Sequence, residues 1–438
     1  MDAGSAPWYT SVPKLSVIQP NSPVIVAYIN KACDTVARGS ADVSSQRMGD
    51  HPGAPMMTRR DVEEDIEPGL KYTEDTGRTD LSLPVRDCSL WHVGVDEPIS
   101  GLNVVSFRQR FGAVAVPAEG IGGVETRPLF RRRGYVRKLL TQAIAGITTR
   151  VPVVFVSDGI EDLYEKFGFV TCLAEADLSV PIRTVERLAG TSALPSSQLM
   201  RSFAHDDLPA MVRLYNLAHT HRPWTHERHA QWNQLLIPQT WQPGSETIIL
   251  ERDGVVAGYA ILTETRYGRG APPVVVDELT ARDTAAAEAL LVEVAARCWH
   301  LRLSDFRVRE PLDSAVGRAA QRLGCTYQQT FPASGGMMGA ILDRQQLLRM
   351  LEPELRRRLP TDELHPVHTA GFDALCRSEL VSDNRVLLRL LVGYWSATDA
   401  CALGTVLPAQ YQRVCEEWFP GGGSAYLPQP YAHRLDRY

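Results

Sequence analysis

No stretch of this chain constrains its fold more than Gly122–Leu140, Gly-Gly-Val-Glu-Thr-Arg-Pro-Leu-Phe-Arg-Arg-Arg-Gly-Tyr-Val-Arg-Lys-Leu-Leu. It reads as a buried strand, a short basic loop with one glycine, and an amphipathic helix. Val136, Leu139, Leu140, Ala143, Ile144 and Ile147 recur at spacings of three and four, an apolar stripe for packing on a sheet. A helix start leaves backbone N–H groups without intrahelical partners at the positive end of the dipole, a setting that suits a pyrophosphate. Gly134 permits close approach of the backbone, and Arg131, Arg132 and Arg133 add positive charge.

A second segment follows in order. Val151–Ser157 (Val-Pro-Val-Val-Phe-Val-Ser) is a continuous apolar run of strand length, typical of a strand buried on both faces. After the turn signal Asp158-Gly159 comes Leu163-Tyr164-Glu165-Lys166-Phe167-Gly168-Phe169.

Arg131, Gly134 and Val136 fall on the Arg-x-x-Gly-x-small pattern of the acyl-CoA pyrophosphate loop, and Tyr-x-x-Phe-Gly-Phe on the segment that closes the same site. The chain therefore resembles the GNAT N-acyltransferases. Val136 departs from the usual glycine or alanine. The triple arginine most resembles the enhanced-intracellular-survival-type branch, which implies an α/β (α+β mixed-sheet) architecture of tandem GNAT-like domains followed by a small sterol-carrier-like α/β domain.

Organisation along the chain agrees with that expectation. With 438 residues, two to four domains are expected. Residues 1–55 form a Pro-, Ser- and Gly-rich extension with no assigned chemistry. A first unit spans 56–197, opening with Met56–Arg60 as a strand and Asp61 as a helix cap. Its hairpin, Ser89–Val95 and Ile99–Phe107, turns at Asp96-Glu97-Pro98, and the segment between Thr76 and Leu90 looks too short for the second helix that usually covers the acceptor site. A second unit spans 198–342 and repeats the opening at Met200–Leu208. It repeats the hairpin around Asp253-Gly254 and the helix at Ala285–Cys298, but Glu278–Thr284 lacks the glycine-arginine loop. The third unit, 343–438, is expected to hold a helix kinked or restarted at Pro353, a strand-like Arg385–Leu390 and a last helix at Ala409–Trp418.

The resemblance implies acetyl transfer from acetyl-CoA, as cosubstrate, to a primary amine by direct attack in a ternary complex. The acceptor would be aminoglycoside-like, polyamine-like or a lysine, consistent with antibiotic modification. In the family, backbone amides of the strand before the loop hold the thioester carbonyl; those positions are Val124 and Thr126. Arg131, Arg132, Arg133, Gly134, Tyr135 and Val136 would hold the phosphates. Tyr164 stands at the family's general acid, and a phenol titrating near ~10 stays protonated at neutral pH. Alternatively it is an aromatic bracing Phe167 and Phe169. For the base, the branch uses the terminal carboxylate, here that of Tyr438, with Glu125 the main rival. The contrasting readings are a CoA-binding scaffold or sensor without turnover, and a GNAT enzyme using another acyl donor in natural-product biosynthesis.

Other features point less far. A net charge of -5 gives no reason to expect nucleic acid. Lysine occurs only at Lys14, Lys31, Lys71, Lys138 and Lys166, an arginine bias read as high-GC, bacterial codon usage. Eight irregularly spaced cysteines indicate reduced thiols, and neither a signal peptide nor a membrane-length apolar run is apparent, so a cytoplasmic location is expected. Homo-oligomers are expected from the resemblance. His219, His221, His226 and His229 resemble a zinc cluster only superficially, and no metal is expected. Trp91, His92, Trp224 and Trp232 could line a cleft or pack, and Arg356–Arg358 reads as a helix C-terminus satisfying its dipole.

Overall fold

The computed structural model describes residues 69–78, 85–183, 185, 198–229, 245–264, 274–332, 334–360, 365–423 and 427–431. The first unit runs β1 (Leu70–Arg78), β2 (Val85–His92), β3 (Ser100–Arg110), β4 (Ala115–Thr126), α1 (Tyr135–Thr148), β5 (Val153–Gly159), α2 (Glu161–Tyr164), β6 (Val170–Thr171) and β7 (Glu175–Pro181). The second runs β8 (Gln198–Ser202), α3 (Leu208–Ala218), β9 (Ser245–Arg252), β10 (Val255–Glu264), β11 (Val274–Ala281), α4 (Thr284–His300), β12 (Asp305–Val308), α5 (Ala315–Leu323), β13 (Thr326–Thr330) and β14 (Gly336–Ile341). Residues 1–55, the expected opening at 56–66, Trp232 and Tyr438 lie outside the described residues.

Local chemistry explains the turns. Asp253 and Gly254 both take left-handed backbone, φ 53° and 75°, the geometry of a two-residue hairpin turn between β9 and β10. Between Thr76 and Leu90, where the sequence looks too short for a second covering helix, β1 continues to Arg78 and β2 begins at Val85. Val, Leu and Trp on β2 favour a pleated, half-buried surface.

Each sheet has seven strands, ordered β1-β2-β3-β4-β5-β14-β6 and β13-β7-β12-β11-β10-β9-β8. In each, one central pair is parallel, β4 with β5 and β11 with β12. The units exchange a strand: β14, from the end of the second, separates β5 from β6, and β7, from the end of the first, separates β12 from β13. The limits at 197/198 and 342/343 therefore mark the sequence repeat, and neither sheet is complete within them. Gly339 makes the insertion possible, because a Cβ there would lie 2.7 Å from the Phe155 ring.

Residues 344–418 form α6 (Arg344–Arg357), α7 (Pro366–Cys376), α8 (Asn384–Leu391), α9 (Ala397–Ala402) and α10 (Gln412–Trp418), with helices and no strand among the described residues of this part. This corrects the expected sterol-carrier-like α/β unit. Arg385–Leu390 is helical because Asp383 caps it, accepting from the Arg385 N–H at 2.8 Å, while Leu387, Leu388, Leu390 and Leu391 bury one face. A short apolar run cannot be assigned by period alone. Helix α6 runs through Pro353 without restarting. Arg356–Arg358 do form the C-terminal end of α6, and Arg358 there is buried. It donates to Glu354 (2.9 Å) and to the carbonyls of Trp418 (3.0 Å) and Leu391 (3.1 Å), tying α6 to α8 and α10.

Alternation along β5 divides the core. Val154 and Val156 pack with Leu139, Leu140 and Ala143 of α1. Val153 and Phe155 face the other way, into a core shared with Trp224, the C-terminal helices and Ile249, Tyr259 and Ile261 of the second sheet. Leu290, Leu291 and Val294 of α4 fill the far side of the second sheet.

Candidate active site

The site is built where β4 and β5 part. Their registered pairs are Glu119–Val154, Gly120–Phe155 and Ile121–Val156, and no pairing continues beyond, although β4 runs on to Thr126. On its other edge β4 carries a bulge: Gly101 pairs with Glu125 and Asn103 with Gly122, so Gly123 and Val124 both face Leu102. Gly123 has φ 58°, which an L side chain rarely adopts. The strand edge at Gly122–Thr126 is thus left without a β5 partner along the gap.

The gap leads to the start of α1. Gly134 caps that helix at φ 80° with no side-chain cap bond and no acidic residue in the first turn. Nothing lies within 4 Å of where its Cβ would be. The first backbone N–H groups of α1 have no intrahelical acceptors, so an anion there meets donors and the positive helix end. Arg131, Arg132 and Arg133 are exposed around it. Arg131 donates to the Thr126 carbonyl at 2.9 Å, pinning the loop to the strand, and Arg132 sits at φ 63°. Arg133 lies 5.9 Å from the Phe130 ring. Tyr135 is buried, facing Phe130 edge-on at 6.3 Å, and Val136 is half-buried against the core under α1. An acyl-CoA pyrophosphate fits this cradle of uncapped amides, open glycine and arginines.

Thr126 and Ser100 hold each other at 2.9 Å between their hydroxyls, and Ser100 also donates to the Glu125 carbonyl at 2.8 Å. The Glu125 side chain is exposed at the open end of β4. Tyr164, only 4 % exposed, meets Phe169 edge-on at 5.6 Å. It therefore does brace an aromatic, at the position where the resemblance places an acid.

The corresponding place in the second unit is closed. Strands β11 and β12 share only the pairs Val275–Arg307 and Val276–Val308. Beyond them Glu278 is fully buried in a two-pronged ion pair with Arg228, at 2.8 and 2.7 Å, and accepts from the Tyr259 hydroxyl. The α4 N-terminus is capped by the Asp283 carboxylate, which accepts from the Ala286 N–H at 2.8 Å. A carboxylate stands where a phosphate would need to sit.

The His-rich segment has a structural role. Trp224 donates its N–H to the Arg110 carbonyl at 2.9 Å, Arg110 donates to Thr225 at 2.8 Å, and Glu227 donates to Arg108 at 2.9 Å, extending the first sheet along the end of β3. His226 stacks on Phe107 at 4.1 Å, and burial holds its imidazole well below its usual pKa, so it stays neutral. Among the described residues no group of three or more His, Cys, Asp or Glu side chains could hold a metal ion. Trp91 is spent within the sheet, donating to the Thr73 hydroxyl at 2.9 Å, and the His92 ring meets the Val93 carbonyl at 2.8 Å. Trp224 packs edge-on against Phe155 at 4.7 Å, one residue before β5 leaves β4. Sequence reasoning missed both this contact and the Gly123 bulge; a glycine pair inside a strand is the one signal that could have found the bulge.

Residues 91–172 match the family model described as an acetyltransferase (GNAT) domain. The chain carries a GNAT acetyltransferase domain. By that domain it is an acyltransferase. No curated protein matches it significantly. Among solved structures, a probable N-acyltransferase from Enterococcus faecalis V583 is 13% identical, with 81% of this chain and 89% of that one covered at TM-score 0.58. A GCN5-related N-acetyltransferase from Anabaena variabilis is 14% identical, covering 80% and 89% at TM-score 0.59. Eis1 from Mycobacterium abscessus is 15% identical, covering 80% and 91% at TM-score 0.54. At these identities the likeness is one of fold. Among the described residues no helix is long and apolar enough to cross a membrane.

Proposed function

We propose that the chain transfers an acetyl group from acetyl-CoA to a primary amine by direct attack in a ternary complex. The observation that carries this is the gap between β4 and β5 ending at the uncapped, arginine-ringed start of α1. A ligand with its phosphates at α1 and its thioester arm in the gap presents the carbonyl beside the unpaired edge of Val124–Thr126. Backbone donors at that edge would stabilise the oxyanion. The amine attacks, the C–N bond forms, the C–S bond breaks, and the amine's proton passes to a base. Glu125, exposed at the mouth of the gap, is the carboxylate the described residues offer for this role. Tyr164 would protonate the departing thiolate. Small cationic amines, among them aminoglycosides, polyamines and lysine, are the acceptor class proposed, and self-association is proposed with them.

The test is acetyl-CoA-dependent release of free thiol across a panel of such amines, with acetyl-CoA binding measured by calorimetry. Saturable release with one class would name the acceptor; binding without release would favour a CoA-binding scaffold. Tyr164→Phe keeps the edge contact with Phe169 and should lower kcat by about 10²-fold, the scale of a general acid, while leaving acetyl-CoA affinity unchanged. Glu125→Gln and an extension beyond Tyr438 test the two bases separately.

A further inference from the structure

The peptides on either side of Thr126, at the open end of β4, are tethered to their surroundings. Ser100 is buried at the start of β3 and registers directly opposite Thr126. Its Oγ donates to the Glu125 carbonyl at 2.8 Å and lies 2.9 Å from the Thr126 hydroxyl. A serine hydroxyl has one proton to give. With that proton on Glu125, the Thr126 hydroxyl is the donor of the second bond. The following peptide is held at both its groups. The Arg127 N–H reaches the Ile99 carbonyl at 3.0 Å, and the Thr126 carbonyl accepts from the Arg131 guanidinium at 2.9 Å.

Peptide geometry then fixes where the Thr126 N–H points. In a planar trans peptide the C=O and the N–H point in opposite directions. The Glu125 carbonyl is turned toward β3, where Ser100 holds it, so the Thr126 N–H of the same peptide points to the other edge of β4. That edge is the one β5 has left, since the β4–β5 pairing ends at Ile121. The Ser100 hydroxyl therefore acts directly on a peptide of the gap, although the serine itself sits on the far side of β4. The other end of that peptide is the Cα of Glu125, whose side chain is exposed at the mouth of the gap.

We propose that Ser100 is a positioning residue for acetyl transfer: by holding the Glu125 carbonyl it aims the Thr126 N–H at the thioester oxygen. This deepens the acetyl-transfer reading above and rests on it. Negative charge develops on that oxygen as the amine attacks, so a donor whose direction is fixed beforehand stabilises the transition state more than the bound substrate. Ser100 stands on β3, away from the edge where a ligand would lie. The hydroxyl should therefore act on turnover and leave the binding of both substrates alone.

The test compares the full-length chain with Ser100→Ala and with the conservative Ser100→Thr, which keeps a hydroxyl. Infrared spectra of bound acetyl-CoA, isotope-labelled at the thioester carbonyl, read the hydrogen bonding of that oxygen without turnover. Steady-state kinetics give kcat and the separate KM values for amine and acetyl-CoA. In the wild-type chain the bound carbonyl band should lie below its position in free acetyl-CoA. Ser100→Ala should move the band back toward the free position and lower kcat by about tenfold, less than the loss of a whole oxyanion donor, with both KM values unchanged. Ser100→Thr should recover most of both effects. An unmoved band in Ser100→Ala would overturn the positioning role whatever kcat does. A moved band with raised KM values and unchanged kcat would overturn it as well, because the hydroxyl would then serve binding. A wild-type chain with a lowered band and no thiol release with any amine would overturn the acetyl-transfer reading; the Ser100→Ala band would still judge the aiming of the Thr126 N–H separately. No lowering of the band in the wild-type chain would overturn the role of Ser100 even if thiol is released.

Discussion

Gly134 and Glu310 show how single residues in this chain answer to backbone and solvation terms rather than to contacts. At Gly134 a side chain would meet nothing within 4 Å, yet φ is 80°. Gly134→Ala should thus lower stability by only about 1 kcal/mol, the left-handed penalty. Acetyl-CoA affinity should fall more, because relieving the strain re-aims the first amides of α1; thermal melts and calorimetry separate the two. Glu310 is pushed up to about 8, first by desolvation, with Glu278 and Asp313 adding to it and Arg222 opposing. A folded-state value above the unfolded one means that the folded chain binds this proton more tightly. Stability from this group is complete below about 4.5 and is lost progressively as pH rises to about 8. Glu310→Gln should therefore leave acid stability unchanged and stabilise the chain at pH 8 by a few kcal/mol, with a ceiling of roughly 5 kcal/mol at about 1.4 kcal/mol per pH unit. Denaturant titrations at pH 4 and pH 8 would check this, and equal effects at both would refute it.

Among elements, β14 and α8 carry the clearest lessons. β14 enters the first sheet only because Gly339 lets the Phe155 ring lie against its backbone. Gly339→Ala should destabilise by roughly 1–3 kcal/mol through overpacking, since the obstructing atoms belong to a wedged ring. Urea unfolding would measure it, and a neutral result would mean that the ring can move. α8 owes its form to Asp383 at its start and four leucines on one face, so a run that looked like a strand became a helix. The same physics distinguishes α1 from α4. Glycine at the cap leaves α1 open to an anion, whereas Asp283 fills that position on α4.

At the scale of the whole molecule, the exchange of β7 and β14 makes the units interdependent. A chain ending at residue 197 would leave β5 and β6 without the strand between them. Residues 56–197 expressed alone should lack a cooperative unfolding transition, while co-expression with residues 198–438 should restore one and, with it, acetyl-CoA binding. A separately folded, CoA-binding first unit would show that β14 is dispensable. The core spanning Phe155, Trp224, Tyr259 and the C-terminal helices predicts the same coupling, because it belongs to all three parts of the chain.

The loop and helix start proposed to hold the phosphates were legible in the residues themselves. Loop glycine, arginines and an amphipathic helix are adjacent in sequence, and their chemistry depends on local backbone geometry. The repeat was legible for the same reason, since hairpin and helix signals recur at short range. The exchanged strands were not, because Gly336–Ile341 looks alike whichever sheet receives it. The helical end of the chain was misread where a short apolar run carries no decisive period. Arg222 donates to Asp313 and to the Gln429 carbonyl, partners 91 and 207 positions away along the chain. Local sequence determined the helix starts, the turns and the open start of α1; long-range packing alone decided which strands share a sheet and where the C-terminal segment is anchored.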